Sequence, residues 1–314
     1  MARFGSRALV YGEKELRDIS RAIDADFVFA QQQASIPLAS GLAKDNDVNF
    51  GCDIEDILSE SSSEPRRLIR AIEKKYLGAA AVVTTMSDVA AKHIQARYVL
   101  KAPCLVLHNC HARSESLDSA NLSAAKGERS IYWFGQTLGS HSLALELIRA
   151  NAALGNPFRI FLRGRLSGDY SKALADCIQD CGAGKAVSIL DVVAPNAMVK
   201  EASDYAILFG SQPTKELFHQ LAIGNKVFTG LAAGCRLLLS DTVAHRDFVQ
   251  RFKVKAIFFD HSVEGSIEAG LMDLLNTDEA SPPSNGQNMH HAALKVLDWD
   301  VESHLLTEAV SRHL

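Results

Sequence analysis

Gly224-Asn225-Lys226-Val227-Phe228-Thr229-Gly230-Leu231-Ala232-Ala233-Gly234-Cys235-Arg236-Leu237-Leu238-Leu239-Ser240-Asp241 reads as a helix that stops at a glycine and passes at once into an apolar strand. Val227, Phe228, Leu231 and Ala232 recur at helical spacing, so one face is buried. Gly234 suits the left-handed conformation that ends helices. Leu237-Leu238-Leu239 has the apolarity of a strand covered on both faces, as in a parallel sheet. A strand ending in Ser240-Asp241 behind a helix with a polar Asn225-Lys226 start is where open α/β sheets place ligands. Free N–H groups and the positive dipole end at such a helix start favour phosphate.

The same alternation extends in both directions. Upstream, strands are expected at 26–30, 47–50, 80–84 and 104–107, with helices at 37–44, 66–77 and 87–98, the last opened by Ser87 as a cap. A polar stretch, 111–129, reads as an interdomain linker. A second series begins at Ser130 and runs strand, helix (140–154), strand (158–162), helix (169–181), strand (186–190), helix (195–202), strand (204–209) and helix (215–233). It continues with strand 236–240, helix 243–251 and strand 255–259; a Pro-rich loop at 281–286 then leads to a final helix, 290–314. Strands separated by helices predict an α/β protein with parallel, doubly wound sheets.

The chain has 314 residues, and one domain per ~150 residues predicts two. A net charge of −4 offers no basic face for nucleic acid. The absence of an apolar run of about eighteen residues predicts no spanning helix. The first residues lack the apolar core of a secretory signal, so a cytoplasmic location is expected, with the inner membrane face as a peripheral variant. Six cysteines at 52, 104, 110, 177, 181 and 235 form no CxxC pair. Cys177 and Cys181 can share a helix face, but no histidine cluster accompanies them, so buried reduced thiols and no metal are expected. No GxGxxG follows a strand, and P-loop and nucleophile-elbow patterns are missing, which excludes the common dinucleotide, P-loop and hydrolase readings.

The second series resembles the donor-binding domain of retaining GT-B glycosyltransferases, the group that includes sucrose-synthase-like and mannosyltransferase-like enzymes. The resemblance rests on "IYWFGQ", "FRIFLRG", "VSILDVVAPNAMVKEASDYAILF" and "GNKVFTGLAAGCRLLLSDTVAHRDFV", with the tryptophan-containing "LKVLDWDVESHLLTEAV" last. In the first series "DFVFAQQQASIPLASGLA", "NFGCDIEDILSE", "AIEKKYLGAAAVVTTMSDVAAKHI" and "CLVLHNC" are similar in register to the family's acceptor-side domain. The resemblance covers roughly 25–310. It implies two Rossmann-like domains: residues 1–112, a shortened acceptor-side domain on which the final helix 290–314 packs, and residues 130–289, a nucleotide-sugar donor-binding domain. A shortened sheet would leave an edge for a partner subunit or a second copy to cover.

The implied activity is hexosyl transfer from a nucleotide sugar to a saccharide or glycan acceptor, as in polysaccharide biosynthesis, by a retaining route without cofactor or metal. Negative charge developing on the leaving phosphate needs cations or a helix N-terminus. The implied donor-binding set is Gly135, Gln136, Arg163, Arg165, Asp191, Val192, Lys215, Asn225, Lys226 and Thr229. Gln136 stands where the family has Arg, the following loop to His141 has no Lys, and Thr229 stands where a glutamate holds the ribose. Arg163 and Arg165 are then the expected phosphate clamps, and Lys226 fits the helix start. Leu221 falls where the family's upstream glutamate lies; Glu216 is several residues out of register. Asp53, Glu55 and Asp56 form an acidic loop able to orient acceptor hydroxyls or serve as a base, and the expected catalytic set is Asp53, Glu55 and Arg163. Gln31, Gln32 and Gln33 offer sugar hydrogen bonds, His108-Asn109 ends a first-domain strand, and His219 reads as a surface residue. The replaced Arg, Lys and Glu positions also support a second reading, a non-catalytic homologue that binds or scaffolds a partner.

Overall fold

The computed structural model describes residues 12–20, 22–115, 129–276 and 289–314. Most of the expected linker and all of the 281–286 loop lie outside them. Contacts divide the chain into two compact units. One comprises Met1–His108, Glu216–Ile223 and Asp300–Leu314; the other comprises Asn109–Lys215 and Gly224–Trp299.

The first unit holds a parallel sheet of β1 (Phe27–Gln31), β2 (Asn49–Ile54), β3 (Val82–Thr85) and β4 (Leu105–Val106), in the order β1-β2-β3-β4. Its core gathers Ile36, Phe50, Cys52, Ile72, Leu77, Val83 and Ile94. Ser87 caps the helix Asp88–Arg97 by accepting from the Ala90 N–H at 3.0 Å. The helix expected from Pro37 begins earlier, at Gln32, and runs to Asn46 with Pro37 inside it. Helical packing of Ile36, Ala39 and Ala43 into the core outweighs the one donor that proline removes.

The second unit holds β5 (Ser130–Leu138), β6 (Arg159–Leu166), β7 (Val187–Leu190), β8 (Ile207–Gly210), β9 (Arg236–Ser240) and β10 (Ala256–Phe259). All are parallel, in the order β10-β9-β8-β5-β6-β7. Numbered from β5, this is the Rossmann order 3-2-1-4-5-6, whose direction of winding reverses between β5 and β8. Ile131, Trp133, Leu147, Phe158, Leu162, Phe209 and Leu238 form the core. Gly234 takes φ 70° and ends the helix Asn225–Ala232 as its sequence predicts.

Two expected helices are broken. The 215–233 helix is two, Leu217–Leu221 and Asn225–Ala232, separated by an extended Ala222 (φ −93°, ψ 150°). The first ends where the Leu221 carbonyl accepts from Ser87 Oγ at 2.6 Å and Ile223 N–H meets Met86 Sδ at 3.3 Å. The 290–314 helix is likewise two, His291–Leu294 and Trp299–Ser311. Between them the buried Asp298 pairs with Arg113 at 2.7 Å, and Trp299 N–H donates to the His111 carbonyl. Thus 111–115, at the start of the expected linker, is tied to the second unit by hydrogen bonds and an ion pair.

Candidate functional site

The second unit places its polar groups at the reversal between β5 and β8. Trp133, on β5 and 1% exposed, donates its indole N–H to Ser211 Oγ at 2.9 Å just beyond β8. Ser211 in turn donates to the Ser142 carbonyl at 2.7 Å. These bonds tie together the segments leaving the two strands. Between Phe134 and Thr137 the β5–β6 register shifts, so Gly135 and Gln136 oppose the single residue Gly164. Gly164 has φ 155°, and a Cβ there would lie 2.8 Å from the Gly135 carbonyl oxygen. Only glycine permits that approach, and bulges of this kind recur beside binding sites.

Lys226, in the first turn of Asn225–Ala232, extends over this corner. Its Nζ lies 4.9 Å from the Trp133 ring centroid and 5.7 Å from that of Phe134. Among the described residues no carboxylate pairs with it. Burial lowers its pKa to about 8, with no opposing charge to restore it. His141, in the turn after β5, has its ring centroid 6.0 Å from that of Trp133. Burial and the charge of Lys226 lower its pKa, and a backbone hydrogen bond at Thr137 acts in the opposite direction. A cation without a counter-ion over an indole, beside a second basic group, is a corner arranged for an anion.

The other expected donor residues divide. Asn225 is exposed, and its Oδ1 accepts from Asn109 Nδ2 at 2.9 Å. Gln136, Arg165, Asp191, Val192 and Lys215 are exposed. Arg163 is buried and braces the sheet. Its Nε donates to Tyr132 Oη at 2.7 Å, Nη1 to the Asp191 carbonyl, and Nη2 to Glu201 at 2.7 Å. The expected clamp therefore has its donors committed internally, because the β6 pleat turns residue 163 toward Tyr132. Thr229 is 2% exposed, with its hydroxyl 2.9 Å from His111 Nε2. It is occupied by a neighbour of its own unit. His141, Trp133, Ser211 and His111 were not among the expected site residues; a Trp–Gly pair ahead of a His-containing turn was the only sequence signal.

The first unit carries the carboxylates. Asp53 lies on β2 and accepts from Thr84 Oγ1 of β3. Burial raises its pKa, the Thr84 bond opposes, and Glu55 adds repulsion. Asp56, not Glu55, is the most perturbed: burial, then Glu55 and Asp53, raise it to about 6. Gln33 is fully buried and donates to the Asp56 carbonyl at 2.7 Å and to Glu73 at 3.4 Å, so it shapes the acidic turn and does not face solvent. Gln32 adopts φ 64° at the end of β1. His108 Nδ1 lies 2.7 Å from buried Glu302, which also accepts from the His108 N–H. Glu216 accepts from Ser62, and His219 meets Phe218 edge-on at 4.7 Å. Burial pushes the Cys52 and Cys104 thiols up to about 12, and none of the six cysteines forms a disulfide. Among the described residues no His, Cys, Asp and Glu group suits a metal, and no helix is long and apolar enough to cross a membrane.

The two Rossmann-like units define the GT-B fold, and solved structures share it. HepE from Anabaena, in complex with UDP-glucose, superposes with a TM-score of 0.75 at 14% identity, covering 98% of this chain and 83% of that one. Sucrose-phosphate synthase from Thermosynechococcus elongatus gives 0.73 at 12% identity, over 96% of this chain and 76% of that one. The pneumococcal O-GlcNAc transferase GtfA, in complex with UDP and GlcNAc, gives 0.68 at 11%, over 95% and 59%. At the level of sequence, no family model and no curated protein matches the chain.

Proposed function

We propose that the protein transfers a sugar from a nucleotide-sugar donor to a saccharide acceptor. The observation that carries this reading is Lys226: an ammonium with no carboxylate partner among the described residues, over Trp133, at the reversal point of a Rossmann-ordered sheet. A diphosphate supplies the missing negative charge, and the bulged Gly135-Gln136 corner lets backbone approach it. Solved structures of the same fold carry UDP, UDP-glucose or GlcNAc in their complexes, which supports a nucleotide sugar as the donor class. The acceptor is assigned to the acidic turn of the first unit, where Asp56, raised to about 6, suits proton exchange with a hydroxyl near neutrality. Retention of anomeric configuration follows from the family resemblance.

Calorimetry against UDP-, GDP- and ADP-sugars tests the reading. Saturable binding of one donor that weakens at least tenfold in Lys226→Met supports it. A protein that binds none of them, yet forms a stable complex with another chain, is the non-catalytic scaffold instead.

A further inference from the structure

We infer that donor binding at this corner is proton-linked, with His141 taking up a proton as the diphosphate enters; this rests on the reading of the corner as a donor site. His141 and Lys226 flank the same indole, at 6.0 Å between ring centroids and 4.9 Å from Nζ to centroid. The charge of Lys226 reaches His141. The groups facing His141 are few. Lys226 comes from the helix Asn225–Ala232, and Trp133 and the Thr137 backbone come from β5. In the turn itself Gly139 lies against its ring, and Ser142 leads on to the Tyr170 phenol at 3.3 Å. No carboxylate acts on it from any of these elements. Lys226 therefore places one charge at this corner and disfavours a second on His141.

A diphosphate reverses that balance. Its negative charge compensates Lys226 and favours the imidazolium, so the pKa values of both groups rise on binding. The proton comes from solvent and rests on the free imidazole nitrogen, and no covalent bond is made. With two cationic groups the corner then meets the leaving diphosphate without the arginine and lysine that the resemblance leads one to expect after β5. The sign follows from linkage: affinity rises as pH falls, first through Lys226's value of about 8 and then, through His141, to that group's depressed value, below which it levels off.

Isothermal calorimetry of the whole chain with UDP-glucose, GDP-mannose and ADP-glucose reads this directly. Esterified diphosphates have no group of their own that titrates near neutrality. Repeating the titration in Hepes and Tris at pH 7 converts buffer heat into protons bound. We expect a net uptake of a fraction of a proton, and affinity roughly three- to tenfold tighter at pH 6 than at pH 8. His141→Gln should cut the uptake at pH 7 to the small share that Lys226 contributes and flatten the pH dependence below about 7, and His141→Arg should keep tight binding with the same small residual uptake. Zero uptake by the native chain, or uptake unchanged in His141→Gln, overturns the inference and leaves the donor site standing. Failure of all three donors to bind overturns both.

Discussion

In the six-stranded sheet β5 and β8 lie side by side, and the chain winds away from them in opposite directions. In the four-stranded sheet β1 to β4 follow chain order, so the described strands contain no such reversal. The first arrangement leaves a crevice at the strand ends without any side chain being removed. The polar groups there carry positive charge: Lys226, with His141 available. The second arrangement draws its polar groups onto one strand end and one turn, Asp53, Glu55 and Asp56, and their charge is negative. Under the proposed function, the charge of one unit suits a leaving phosphate and that of the other suits a proton from a hydroxyl. A shared architecture sets where a ligand can sit, while the local charge sets which ligand chemistry each unit suits.

That contrast breaks most severely at the β5–β6 bulge. Gly164→Val forces a Cβ into the Gly135 carbonyl at φ 155°, and should cost about 3 kcal/mol in urea denaturation. A change below ~0.5 kcal/mol would show that the bulge relaxes freely.

Lys226→Met separates binding from stability. Donor affinity should fall about ten- to a hundredfold, since one charged contact to phosphate is lost. The fold should become more stable at pH 7 by about 1 kcal/mol, because a lysine whose pKa drops to about 8 on folding destabilises the native state while protonated. The gain should vanish as pH rises from about 8 to above 10, where the lysine is neutral in both states. Reduced stability at pH 7 would mean that the ammonium has an internal partner.

Asp56→Asn probes the opposite charge. A carboxylate raised to about 6 binds more protons folded than unfolded, so native stability falls as pH rises from about 4 to 6. The variant should gain about 1 to 2 kcal/mol above pH 7 and nothing at pH 4. Thermal melts across that range check it, and sugar transfer should drop in the same variant. Equal melting shifts at both pH values would remove the perturbed carboxyl from the account.

The smallest effect is expected at Thr229→Val. Loss of the His111 hydrogen bond should cost about 1 kcal/mol, with donor affinity changed less than about threefold. A tenfold loss of affinity would return Thr229 to the ribose site.

The order of strands and helices was legible because apolar runs such as Leu237-Leu238-Leu239 and helix ends such as Ala233-Gly234 are local signals. Parallel strands buried on both faces have few alternatives. Two of the longer helices were misread for the same reason: periodicity runs unbroken through Ala222 and through Lys295–Leu297, and only bonds to Ser87, Met86 and Arg113, distant in sequence, interrupt it. The site divides along the same line. Lys226 at a polar helix start could be read from its neighbours, as could the acidic 53–56 turn. That Arg163 faces Tyr132 and Glu201, that Thr229 is taken by His111, and that Lys226 joins His141 at Trp133 depend on residues tens of positions apart. By itself, then, the sequence determined the fold and the charges available to it, since propensity and burial act over a few residues. Tertiary structure alone decided which charges are neutralised internally and which remain for a ligand, because electrostatic pairing acts through space and not along the chain.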